Sequence, residues 1–232
     1  MKDIVGQRFV RSSFDEIMRD LTDDFNYPDF VCRPRGSEIK EILVPRLVLT
    51  DPYNRMITNT ARKANYGFAV GEFLWYWRGS ESLEEMTYYN KRMGAFSDDD
   101  KTLNSAYGKR IRTNRVGLAD NGQTQWSTCV RTLSDDKDSR RALLLINEPR
   151  DQFKAAFHGS KDVPCTLSLQ FFIRENKLHC HANMRSNDVH WGLTDRKSAL
   201  LNSSHRWISY AVFCLTKIKQ QVCSVLWLMM EI

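Results

Sequence analysis

Between Thr166 and Arg185 the chain alternates apolar and polar positions with a period of two, and it does so twice. Leu167, Leu169, Phe171 and Ile173 alternate with Thr166, Ser168 and Gln170, and Leu178, Cys180, Ala182 and Met184 with His179, His181 and Asn183. Each run reads as a half-buried strand. Glu175-Asn176 between them suits a two-residue hairpin turn, which sets Arg174 against Lys177 and, continued outward, Cys165 opposite Ser186 and beside Arg185. Upstream, Ser13-Phe14-Asp15-Glu16 has the form of a capping box ahead of Ile17, Met18 and Leu21, so a helix begins there. Glu38 to Leu49 reads as one strand closed by Asp51-Pro52-Tyr53-Asn54, and Ala142 to Ile146 as a short buried one. Tyr66 to Trp77 is apolar on every side and predicts a buried helix ended by Arg78-Gly79. Helices and strands interspersed, without repeats or low-complexity linkers, predict an α/β (or α+β) fold.

Composition narrows this picture. A chain of 232 residues, 42% hydrophobic and 27% charged, has material for one sizeable core and is not a disordered protein. Its net charge of +6 admits nucleic acid as a partner, but Lys and Arg form no run of five, and an anionic small substrate explains the excess equally well. The six cysteines show no CxxC spacing, and Met1 is followed by Lys2 and Asp3 without an apolar signal core. A reduced, cytoplasmic protein without structural metal is expected. The apolar stretches Trp207 to Leu215 and Val222 to Met230 are separated by Lys217, Lys219 and Gln220. Each is well short of the roughly 20 residues a membrane span needs, so no membrane partner is expected.

Against that background a few residues carry candidate chemistry. Cys165 follows Val163-Pro164 at the head of a strand, where a loop exposes a thiol, and a neighbouring cation such as Arg185 favours a thiolate nucleophile. The alternative is a small buried hydrophobe. Glu72 is the sole charged residue between Lys63 and Arg78. A carboxylate on a helix buried all round requires a partner or a polar cavity, so it reads either as a general acid/base or as one half of an ion pair. Ser139-Arg140-Arg141 sets two guanidinium groups beside a strand, suited to a phosphate or simply solvated. His179-Cys180-His181 resembles a metal cluster, but strand alternation sends Cys180 to the opposite face, so no metal site is expected. Asp98-Asp99-Asp100 reads as a solvated loop.

Five segments, in order along the chain, resemble the thymidylate synthase and deoxycytidylate hydroxymethylase family. They are Gly71-Glu72-Phe73-Leu74-Trp75-Tyr76-Trp77-Arg78-Gly79, Ala106-Tyr107-Gly108, Asp138-Ser139-Arg140-Arg141, Val163-Pro164-Cys165 with Gln170-Phe171, and Met184-Arg185-Ser186-Asn187-Asp188. The resemblance implies a mixed sheet packed by helices, one sheet face forming a homodimer interface. It also implies transfer of a one-carbon unit from the co-substrate 5,10-methylenetetrahydrofolate to C5 of a pyrimidine nucleoside monophosphate. In those terms Cys165 attacks C6, Glu72 moves protons through ordered water, and Tyr107 and Trp75 shape the cavity. Arg185 and Ser186 bind the nucleotide, Arg140 and Arg141 reach its phosphate from the second subunit, Arg35 is a phosphate clasp and Asp188 contacts the folate. Methylation of dUMP is placed first, with hydroxymethylation of dUMP, dCMP or CMP, or nucleotide binding without catalysis, as alternatives.

The resemblance covers residues 8 to about 193. Asn187 is of the hydroxymethylase type, and neither Asp195 nor Arg196 falls in register with the family's base-reading residue. Residues 1–193 are thus expected to form the catalytic domain and 194–232 a divergent, replaced or out-of-frame tail, in which Trp207 to Leu215 supplies part of a core helix.

Overall fold

The computed structural model describes residues 6–55, 57–59, 65–113 and 122–189, and the main chain of 210–215; at Arg35 it describes the main chain alone. The predicted capping box opens α1 (Phe14–Asp24): the Ser13 hydroxyl accepts the Glu16 N–H at 3.2 Å, and the Glu16 carboxylate accepts the Ser13 N–H at 3.1 Å. With its start fixed, α1 buries Phe14, Ile17 and Leu21 against Phe9 of β1 (Arg8–Arg11) and Leu47 and Leu49 of β4 (Arg46–Leu49).

The single strand expected over Glu38 to Leu49 is two strands with different partners. β3 (Ile39–Glu41) pairs antiparallel with β2 (Phe30–Cys32), whereas β4 lies parallel to β1. Pro45 separates them, because it donates no ladder hydrogen bond and constrains the residue before it. Val44 there adopts φ 52°, and the Leu43 N–H turns to the Asp29 carboxylate at 2.9 Å.

α2 (Tyr66–Arg78) starts at Asn65, whose side-chain oxygen accepts the Phe68 N–H at 3.0 Å, and stops at left-handed Gly79. It buries Phe68, Ala69, Glu72, Trp75 and Tyr76. Burial on every side is not what the structure shows: Val70 is 53% and Leu74 44% exposed. α3 (Leu83–Tyr89) packs beside it, and α4 (Tyr107–Arg112) crosses it so closely that a Cβ on Gly108 would lie 2.2 Å from the Tyr76 carbonyl oxygen. α5 (Gln125–Asp135), β5 (Leu143–Leu145) and α6 (Pro149–His158) follow. β5 is buried on one face alone, with Leu144 enclosed by Cys129 and Leu133 of α5 while Leu143 and Leu145 are exposed.

β6 (Thr166–Arg174) and β7 (Lys177–Met184) form the predicted hairpin. Glu175 and Asn176 both have positive φ, 51° and 56°, as a type I′ turn requires, and the pairing runs Arg174 with Lys177 to Ser168 with Asn183 as the turn dictates. A bulge then intervenes, and Thr166 pairs with Met184. The Leu167 carbonyl accepts two N–H groups from beyond β5, those of Ile146 at 2.9 Å and Asn147 at 3.2 Å. Register slips by one, so Cys165 lies opposite Arg185, whose N–H donates to the Cys165 carbonyl at 3.0 Å, rather than opposite Ser186.

The six-stranded sheet has the order β1, β4, β8, β7, β6, β5, in which β8 (Tyr210–Leu215) runs parallel to β4 and antiparallel to β7. The core helix expected from Trp207 to Leu215 is thus corrected: 210–215 is a strand, an apolar run of that length serving either state. The rest of the tail lies outside the described residues. Among the described residues, no helix is long and apolar enough to cross a membrane. α1 and α5 pack on one face of the sheet, and Val10, Leu143 and Leu145 are exposed on the other. Because Gly108 sets the approach of α4 to α2, Gly108→Ala is expected to lower stability by about 1–3 kcal/mol, read as a lower urea midpoint with unchanged slope.

Candidate active site

Cys165 sits half-buried where the 160–165 loop enters β6, and its surroundings are built from four elements. Tyr107, the first residue of α4, is 5% exposed, and its hydroxyl accepts the N–H of Cys165 at 3.0 Å and of Thr166 at 3.1 Å. Arg185, just past β7, donates from Nε to the Pro164 carbonyl and from Nη2 to the Val163 carbonyl, both at 3.0 Å. The Ser186 hydroxyl donates to the Cys165 sulfur at 3.6 Å. Sulfur and hydroxyl therefore meet, while the Arg185 guanidinium turns to the carbonyls just ahead of Cys165.

Behind this group, Glu72 is 3% exposed in the middle of α2 and accepts the Tyr76 hydroxyl at 3.4 Å. The Tyr76 ring lies 6.0 Å from that of Tyr107, tilted by 34°, so two neighbouring phenols stand between the Glu72 carboxylate and the Cys165 main chain. Burial raises both hydroxyls well above the ordinary tyrosine range, helped at Tyr76 by Glu72 and at Tyr107 by Cys165, while the N–H groups donated to Tyr107 oppose the rise. Both therefore act as neutral hydrogen-bonding groups.

The loop is held from its other end as well. The Asp98 carboxylate accepts the Ser160 hydroxyl and the Lys161 N–H, Asn104 donates to the Asp162 carbonyl at 2.9 Å, and the Ser105 N–H donates to the Asp162 carboxyl at 3.2 Å. Asp98-Asp99-Asp100 is exposed, as its charge implies, but two of its carboxylates are structural. Asp99 accepts from the Thr102 hydroxyl and N–H and the Lys101 N–H, which hold it well below the usual aspartate range.

The remaining predicted residues are dispersed. Arg140 and Arg141 are exposed ahead of β5, and among the described residues neither has an ion-pair partner; the Arg140 carbonyl accepts from Gln170 at 2.8 Å. Arg35 lies in the turn Pro34–Gly36 between β2 and β3. Trp75 is 1% exposed and packs in the core with Tyr76, its indole N–H donating to the Ser82 carbonyl at 3.1 Å. Asp188 is exposed, two residues beyond Ser186, and between them the Asn187 side-chain amide is buried with neither its nitrogen nor its oxygen hydrogen-bonded. Among the described residues no group of three metal-ligating side chains occurs. Sequence reasoning missed Tyr76, Asp162 and the Asn104–Arg110–Asp151 cluster; a tyrosine one turn after a buried glutamate was the available signal for the first.

Residues 47–196 match the thymidylate synthase family. The chain is 33% identical over 190 residues to the deoxyuridylate hydroxymethyltransferase of Bacillus phage SP01, an alignment covering 78% of this chain and 49% of that protein. It is 27% identical over 165 residues to the deoxycytidylate 5-hydroxymethyltransferase of Enterobacteria phage T4, covering 71% and 62%. To the thymidylate synthase of Bacillus phage phi3T it is 27% identical over 138 residues, covering 57% and 47%. The chain thus spans about half the length of the curated relatives it matches. Thermostable thymidylate synthase A from Bacillus subtilis shares the fold, with a TM-score of 0.53 at 18% identity over 95% of this chain and 84% of that one.

Sheet order and structural likeness together define the class by its fold, that of thymidylate synthase. Within it, the chain belongs to the thymidylate synthase family. Since the Tyr107 hydroxyl is the acceptor for the N–H groups of Cys165 and Thr166, Tyr107→Phe is expected to lower stability by about 1–3 kcal/mol. Urea unfolding monitored by circular dichroism measures it; an unchanged midpoint would show that these N–H groups find water instead.

Proposed function

We propose that this chain uses Cys165 to add to C6 of a pyrimidine nucleoside monophosphate and so directs a one-carbon unit from 5,10-methylenetetrahydrofolate onto C5. The observation that carries the reading is the meeting of Cys165, Ser186 and Arg185 at the head of β6 with Glu72 buried behind Tyr76. Covalent addition needs an exposed edge for the thiol and an anion site beside it. Arg185, now holding the loop's carbonyls, has further donors for a nucleotide phosphate. Glu72 and the two tyrosines supply a proton path that reaches the base from the protein interior. Asp188, exposed just past Ser186, is the residue to which we assign contact with the folate.

Between the two products, we favour hydroxymethylation of dUMP over the methylation placed first from sequence. Two relatives at 33% and 31% identity are named deoxyuridylate hydroxymethyltransferases. The buried amide of Asn187, with donor and acceptor both unused, is suited to a water molecule or a base edge. Incubation with dUMP, dCMP and CMP plus methylenetetrahydrofolate, with products identified by mass, decides among the substrates and products. Formation of dTMP alone would return the reading to methylation.

The active form is assigned as a homodimer through the open sheet face bearing Val10, Leu143 and Leu145. Arg140 and Arg141 beside that face then complete the partner's phosphate site, with Arg35 as a clasp. Cys165→Ser is expected to abolish covalent capture of 5-fluoro-dUMP, seen by intact mass. Glu72→Gln should keep nucleotide binding and lose C5 hydrogen exchange by about 100-fold or more. Mixing Cys165→Ser protein with the Arg140→Ala, Arg141→Ala double variant should recover part of the turnover through hybrid dimers. No recovery from folded, subunit-exchanging variants would mean that each site is built from one chain.

A further inference from the structure

Two aspartates are buried beside the nucleophile's loop, and the protein treats them in opposite ways. Asp151, 0% exposed, meets Arg110 through contacts of 2.6 and 2.8 Å and accepts the Asn104 amide at 3.0 Å and the Glu148 N–H at 2.8 Å. Burial works against its charge, yet these donors hold it below the usual aspartate range. Asp162 is 1% exposed; one carboxyl oxygen accepts the Ser105 N–H at 3.2 Å, and the Ser105 hydroxyl and the Asn104 N–H also favour its charge. The other oxygen is buried without a hydrogen-bond partner.

No cation is available to Asp162 among the described residues. No salt bridge reaches it there, Arg110 is committed to Asp151, and the side chain of Lys161 belongs to an exposed residue. The titratable groups facing it are Asp98, from the loop ahead of α4, and Tyr76, from α2; the first is an anion and the second a neutral phenol. A carboxylate enclosed with one oxygen unpartnered, a few neutral donors on the group and no counter-charge is disfavoured, and burial, seconded by Asp98, outweighs the Ser105 and Asn104 donors and pushes Asp162 above the ordinary range. The residue lies three positions before Cys165, and its own carbonyl is held by Asn104 at 2.9 Å, so what loosens it loosens the approach to the thiol.

We propose that Asp162 is a positioning residue for Cys165: as a neutral carboxyl it seats residues 160–166 against the 97–107 loop, and its ionisation unseats the nucleophile. The consequence for catalysis rests on the reading of Cys165 given above, but the test does not. The sign follows from linkage. A group whose folded-state pKa is raised stabilises the seated loop at low pH, and that contribution is lost as pH rises through the folded value. In between, each opening releases one proton.

The experiment is amide hydrogen exchange of the full chain, without ligand, followed in peptides covering 160–166 and divided by the intrinsic exchange rate at each pH. In the wild type the opening constant is expected to rise about tenfold per pH unit between the ordinary aspartate value and the raised one. In Asp162→Asn, an isosteric neutral side chain, it is expected to be flat. Equal slopes in the two proteins would overturn the proposal. Should Asp162→Asn fail to fold, wild type labelled with 13C-aspartate gives the same decision: a carboxyl resonance titrating above the usual aspartate range together with loss of protection at 160–166 supports it, and the absence of such a coincidence overturns it. Capture of 5-fluoro-dUMP across the same pH range reads the catalytic consequence; no capture at any pH would sink the reading of function and leave the exchange result standing.

Discussion

Much of this structure hangs on one oxygen. The Tyr107 hydroxyl takes two successive backbone N–H groups at the point where the loop becomes β6, and this fixes where the Cys165 thiol emerges. A single such bond contributes on the order of 1 kcal/mol net, too little to hold a loop against its own entropy. Rigidity comes from convergence: Arg185 secures the carbonyls of Val163 and Pro164 while Asp98, Asn104 and Ser105 secure residues 160–162. Tyr107 is in turn placed by the close crossing of α4 over α2 at Gly108. Because α2 also carries Glu72, one packing contact sets both that buried carboxyl and the anchor of the Cys165 segment.

Legibility in the sequence followed the range of the interaction. The hairpin register was readable because a two-residue turn is local and two positive φ angles suffice to define it. The bulge was not, since it is made by N–H groups of Ile146 and Asn147 arriving from another part of the chain. Likewise the capping box at Ser13 is complete within four residues, whereas the break at Pro45 shows its meaning once β2 and β4 compete for the two halves of the run. The stretch before Leu215 illustrates the ambiguity of short apolar runs, which helices and central strands both use.

For the site, motif order named the residues and the fold supplied their relations. Cys165, Arg185 and Ser186 are brought together by the hairpin, shifted one residue by the bulge, and Tyr107 joins them through the Cys165 and Thr166 N–H groups. Tyr76 lay inside a motif without a role of its own and Asp162 lay in none; their importance is a matter of burial, which depends on everything packed around them. Asp162 in particular looks in sequence like any charged loop residue ahead of Val163-Pro164. Charge alone misleads in the other direction at Asp98 and Asp99, which are exposed and yet tie loops together.

The place of β8 in the sheet has a consequence for biosynthesis. The parallel pair β1 and β4 and the antiparallel set β5, β6 and β7 touch the same strand, Tyr210–Leu215, from its two sides, and it is the last in the described chain to leave the ribosome. Until it emerges, two half-sheets wait with a row of unpaired main-chain groups each, one of them bearing the β6–β7 hairpin. Such exposed edges are templates for mispairing with other nascent chains. The closing contact also spans the longest sequence separation in the sheet, which places it among the slow events of folding. The chain is therefore most in need of chaperone protection before β8 emerges, when all of Cys165's described neighbours have been made but the sheet that carries them has not been joined.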